Sequence, residues 1–108
     1  MKTLTNVGID DFNSHAINVT FNLDGEEYFA TLSIGSHAFK IVDESFAHEF
    51  GVEKAFGYEF DATLYLTYLE DEEGVETILD EDVLVNLKNV VLEEMQEMSP
   101  QEMYETFN

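Results

Sequence analysis

The sequence has no arginine, no cysteine and no tryptophan, and its one proline is Pro100. Each absence removes a class of chemistry. Without cysteine there is no disulfide framework, no thiolate nucleophile and no thiolate metal site. With no arginine and only four lysines (Lys2, Lys40, Lys54 and Lys88), an anionic substrate would meet few counter-charges. Neither G-x-G-x-x-G nor G-x-x-x-x-G-K occurs, so the phosphate cradles of nucleotide-binding proteins are missing. No apolar run approaches the ~20 residues of a membrane span. The opening MKTLTNVGIDDF lacks the apolar core of a secretory signal. These absences read as a cytoplasmic protein with no membrane partner.

What is present in excess is acid. There are 24 Asp and Glu residues, for a formal net charge of −20. Residues 1–54 hold nine acids and three lysines, net −6; residues 55–108 hold fifteen acids and one lysine, net −14. A well-behaved small domain carries a net charge of roughly 2 to 8, and self-repulsion beyond that opposes folding. High-salt adaptation would raise Asp as much as Glu, but here Glu is 16 and Asp is 8. Hydrophobic residues make up 44% and aromatics 13%, too apolar for a disordered acidic tail. The chain therefore reads as one folded domain, 1–108. Its charge also repels nucleic acid, so direct DNA or RNA binding is not expected.

Strand patterns fill the first two thirds. Residues 15–23 (HAINVTFNL) alternate, with Ile17, Val19, Phe21 and Leu23 on one side. Asp24-Gly25 follows, a dipeptide suited to a type I′ turn. Tyr28, Ala30, Leu32 and Ile34 then alternate in a second strand that Gly35 ends, and a short strand begins at Phe39. Asp43 caps a short helix over 43–50, with Phe46 and Phe50 pointing inward. From Gly57 a strand places Phe60, Ala62, Leu64, Leu66 and Tyr68 on one face, and turn 70–74 leads to a shorter strand over 75–79. Leu84, Leu87, Val91, Met95 and Met98 fall at helical spacing, predicting a helix over 83–98; the alternative is that VLVNL extends the sheet. Ser99-Pro100-Gln101-Glu102 is a capping box opening a last helix, Pro100–Phe107. The sum is an α+β fold: an antiparallel sheet of four to five strands with a C-terminal helix pair covering one face. The other face stays wet, carrying Asn18, Thr20, Asn22, Glu59, Asp61, Thr63 and Tyr65.

No catalytic pattern accompanies this scaffold. The three histidines, His15, His37 and His48, are scattered, and there is no G-x-S-x-G elbow. His48-Glu49 opens like a zinc-protease helix, but Val52 stands where the second histidine belongs. An EF-hand centred on Gly74 fails at both ends, with Leu69 first and Asp80 twelfth. No catalytic residue, cofactor or metal site is therefore expected.

The acids themselves are the candidate site. Eight of the fifteen residues in YLEDEEGVETILDED (68–82) are Asp or Glu. Same-face strand neighbours stand ~6.6 Å apart and helical i, i+4 neighbours ~5–6 Å, spacings comparable to phosphates along a nucleic-acid strand. Three stretches fit such a track: Glu70, Asp71, Glu72, Glu73 and Glu76; then Asp80, Glu81 and Asp82; then Glu93, Glu94 and Glu97, continued by Glu102 and Glu105. Acids at a helix start are also favoured by the macrodipole.

Through its size, its extreme charge, its lack of Arg and Cys, and its clusters EDEE, DED and EE-x-x-E, the chain resembles the small acidic DNA mimics of phages and mobile elements. These include anti-restriction and anti-CRISPR proteins and uracil-glycosylase inhibitors. They share no single fold, so the resemblance carries no residue roles. It implies a mode of action: a non-enzymatic inhibitor occupies the nucleic-acid groove of a basic host or rival protein, such as a Cas effector or restriction nuclease. A phage-encoded chain would act in the host cytoplasm. The composition also fits an immunity protein neutralising a cognate nuclease toxin, or an acidic phage structural or assembly protein. It is compatible with a homodimer.

Overall fold

Period-two alternation places Ile17, Val19, Phe21 and Leu23 on one side of β2 (Ala16–Leu23), and all four are buried. Asp24 and Gly25, with φ of 53° and 85°, then turn the chain into β3 (Glu26–Ile41) with the positive φ values that a type I′ turn requires. The computed structural model describes residues 3–41 and 58–107. Two further strands, β1 (Leu4–Phe12) and β4 (Tyr58–Asp71), complete an antiparallel sheet of order β1-β2-β3-β4. Helices α1 (Glu81–Gln96) and α2 (Pro100–Phe107) cover its inner face. The fold is α+β, with the sheet and C-terminal helix pair that the patterns predict.

Leu87, Val91 and Met95 of α1 and Met103 and Phe107 of α2 close the core against Ala30, Leu32, Phe60, Leu64 and the β2 residues. Full burial of each large side chain contributes about 1.5–3 kcal/mol. In register, β3 and β4 continue past the start of β2, because Ala16 pairs with Ser33 while Ile41 pairs with Tyr58. This two-stranded arm packs its inner rings on α2: Phe107 lies 4.7 Å from Phe60 and 5.0 Å from His37, and it also stacks on Phe12 of β1 at 5.9 Å.

Four expectations need correction. The chain enters the sheet at Leu4, a strand the alternation test passes over. Its inward residues Leu4, Val7, Ile9 and Phe12 are spaced three, two and three apart, because irregularities between Thr5 and Gly8 and between Ile9 and Asp11 each insert a residue. Gly35 does not end a strand. It is the extra residue of a bulge, and β3 runs through it to Ile41. Tyr68 does not share the face of Leu66, since Thr67 is also inserted and Leu69 takes the buried place. Residues 75–79 form no strand; one isolated bridge, Glu70 to Glu76, remains of the predicted hairpin. The helix over 43–50 and the strand start at Gly57 lie outside the described residues, and VLVNL is helical.

The C-terminal end of α1 is clamped to the start of β4. The Tyr58 hydroxyl donates to Met98 O at 2.9 Å and also to Met95 O. The Gln96 amide brackets the Phe60 backbone, accepting from Phe60 N at 3.3 Å and donating to Phe60 O. Tyr58→Phe takes the hydroxyl donor from Met98 O and leaves Met95 O with its long bond from Met98 N at 3.4 Å, and should cost about 1–2 kcal/mol in urea denaturation. Burial, with the charges of Glu102 and Glu97, raises the Tyr58 phenol above its ordinary 10.0. The fold thus favours the neutral phenol. Stability should be unaffected by this group below pH 10 and decline as pH rises through the folded value, a decline that Tyr58→Phe weakens.

Candidate partner-binding surface

At one end of the sheet the β2–β3 turn, the start of β3 and the end of β4 come together, because Tyr28 pairs with Asp71 and Phe29 with Glu70. The antiparallel register thereby brings Asp24, Glu26 and Glu27 beside Glu70, Asp71, Glu72, Glu73 and Glu76. The Tyr28 phenol reports the shared field. It is raised by partial burial, by its hydrogen bond to Glu26 at 3.2 Å, and by the charges of Glu26, Asp71 and Asp24. Thr77 N donates to Leu69 O at 3.0 Å, which tethers the chain here. Asp80, three residues on, therefore lies within about 10 Å of Thr77.

The acids of this end differ in their duties. Asp71 Oδ1 accepts from Glu73 N at 2.9 Å and Val75 N at 3.0 Å, so it builds the turn. Gly74, with φ of 80°, completes that turn in a conformation unfavourable to other residues. Glu70 accepts from the Tyr68 hydroxyl at 2.6 Å, and this bond raises the Tyr68 phenol, with burial and the charges of Glu70 and Glu76 adding. Asp24 Oδ1 accepts from Thr3 N at 2.8 Å. Glu72, Glu73 and Glu76 are exposed. Ile78 stands among them at 89% exposure, an apolar side chain in water within an acidic rim.

Along α1 the sequence-predicted residues split into two groups. Asp80 is the N-cap residue, and Glu81 and Asp82 occupy the first turn, where the macrodipole is positive. Glu93, Glu94 and Glu97 lie at the other end, about 20 Å away at 1.5 Å per residue. There the macrodipole is negative and the last turn has no basic residue, so these three acids oppose helix stability. Glu94→Lys with Glu97→Lys should stabilise the fold by about 1 kcal/mol, several degrees in Tm, while weakening partner binding. A thermal melt beside a binding assay reads both.

The eleven predicted residues thus form one gathered end and one separate ridge rather than a single track. Sequence reasoning missed Asp24, Glu26 and Glu27, which lie more than forty residues from Glu70 and join it only through strand register. Among the described residues, Lys40 pairs across strands with Glu59 toward the opposite end of β4, and Lys88 is half-buried within α1.

Two small clefts lie among the described residues. A cleft of about 260 Å³ is lined by Ile9, Asp10, Asp11, Phe12, Met98 and Glu102. A second, of about 170 Å³, is lined by residues of the β3–β4 arm around His37 and Asp61. Both fall below the ~300–1,000 Å³ of typical ligand pockets. Among the described residues no group of three or more acidic or histidine side chains is arranged to hold a metal ion, and no helix is long and apolar enough to cross a membrane. No family model, curated protein or solved structure matches the chain.

Proposed function

We propose that the protein is a non-enzymatic inhibitor that binds a basic nucleic-acid-binding protein, a Cas effector or restriction nuclease, and blocks its DNA site with DNA-like negative charge. The observation that carries this reading is the gathering of acids from separate chain segments at one end of the sheet. A solubilising surface has no need to concentrate charge where repulsion is greatest. The overall dimensions agree. A net charge of −20 along a 49 Å body is about one charge per 2.5 Å, against ~1.7 Å of axis in duplex DNA.

The test is capture on the tagged protein from a host lysate, with and without excess duplex DNA. The expected result is a basic nuclease or Cas effector that DNA displaces. A partner that DNA leaves in place argues for binding away from the groove and removes the mimicry mechanism. With the partner in hand, affinity should fall steeply as salt rises; a flat salt dependence would have the same meaning.

A further inference from the structure

The outer face of β4 differs from the rest of the acidic surface because it carries rings. Along the strand it presents Glu59, Asp61, Thr63, Tyr65, Tyr68 and Glu70. Tyr65 and Tyr68 are three apart, so a regular strand would send one of them into the core. The bulge at Thr67 prevents this. Tyr65 pairs with Ser33 and Tyr68 with Thr31, so the two rings stand beside β3 positions about 6.6 Å apart. Bulges that re-aim a side chain are frequent beside functional sites, and Thr67 secures this one by donating from Oγ1 to Thr31 O at 3.1 Å.

Both rings are prearranged. A Cβ on Gly35 would collide with the Tyr65 ring, so that ring rests on bare β3 backbone and remains 54% exposed. Tyr68, 37% exposed, is held by its bond to Glu70. Glu70 stands beside Tyr68, while Asp61 and Glu59 lie two and three same-face positions beyond Tyr65, about 13 and 20 Å along the strand. Two fixed aromatic faces with a carboxylate beside one of them complement a planar cation in both shape and charge.

We infer that this strip binds arginine side chains of the partner, the guanidinium stacking on a tyrosine and, at Tyr68, reaching Glu70 with its N–H fork. The inference rests on the inhibitor reading and narrows it, from charge mimicry in general to one face and one side-chain chemistry. Lysine, a compact point charge without the planar fork, gains less there.

The test titrates the ¹⁵N-labelled full chain with a short Gly/Arg peptide and its Gly/Lys twin near physiological salt. The arginine peptide should shift the Thr31, Ser33, Tyr65 and Tyr68 amides and bind about threefold more tightly than the lysine twin. Combined Tyr65→Ala and Tyr68→Ala should abolish that preference without changing lysine-peptide binding, whereas Tyr65→Phe, which keeps the ring, should preserve it. Equal affinities, shifts confined to residues 70–76, or a preference that survives the double alanine variant would overturn the inference. A strip that reads arginine when no partner is displaced by DNA removes the inhibitor reading alone. A DNA-displaceable partner held equally well by the double alanine variant removes the strip alone.

Discussion

Replacing Glu70, Glu72, Glu73 and Glu76 with glutamine is expected to slow association with the basic partner about a hundredfold at low salt, with a smaller effect on dissociation. Glutamine keeps the size of each side chain and leaves Glu70's position able to accept from the Tyr68 hydroxyl. The fold should hold, because Glu72, Glu73 and Glu76 are exposed and the turn depends on Asp71, which is left in place. Removing four like charges from one end relieves repulsion, so Tm should rise slightly. Stopped-flow association at several ionic strengths separates the alternatives: the unaltered protein should give a steep salt slope and the variant a shallow one. An unchanged rate and slope would mean that the gathered acids serve solubility alone.

The second large effect concerns stability. Phe107→Ala should destabilise the fold by about 3 kcal/mol. Phe107 is 8% exposed, and its ring contacts three others, from β1, β3 and β4. It is the last inward side chain of an eight-residue helix, too short to persist without tertiary contacts. Its loss leaves a cavity beneath the β3–β4 arm, where β2 no longer supports the sheet. Amide exchange should accelerate first at residues 36–39 and 58–62, and the urea midpoint should fall. If the midpoint holds while those amides remain protected, α2 is packed by Met103 and its neighbours without the Phe107 contact.

Much of this fold was legible because local chemistry and tertiary need agree. Asp24-Gly25 between two alternating runs can hardly be anything but a hairpin. Ser-Pro-Gln-Glu sets the start of α2 without help from the rest of the chain. Reading failed wherever a bulge inserts a residue. The spacings Leu4-Val7-Ile9-Phe12 and Leu66-Leu69 look aperiodic until a residue is allowed to drop out of register. Gly35 resembled a strand terminator because glycine usually marks a break; here it leaves space for an aromatic ring. Residues 75–79 were apolar enough for a strand, but a single bridge anchors them and Ile78 faces water.

The candidate site divides in the same way. The acidic residues of 70–82 could be named from the sequence because they are contiguous. Their union with Asp24, Glu26 and Glu27 could not, because it depends on which residue of β3 faces which residue of β4. The tyrosine pair was hidden for a related reason: alternation alone put Tyr65 and Tyr68 on opposite faces of the strand, and the bulge put them on the same one.

The sheet's two edges also differ in how they resist aggregation. An open edge is a template for further strands from other molecules. On β1 the obstruction is geometric, since two irregularities and Asn6 at φ of 52° break the row of backbone donors and acceptors. On β4, among the described residues, the Gln96 amide occupies the Phe60 backbone and the segment around Glu76 covers the last residues, and between them carboxylates keep copies apart. The protection of β1 therefore persists when charge is neutralised, while that of β4 lapses between those covers. Acidification or polyvalent cations would bring copies together along one edge of the sheet and not the other.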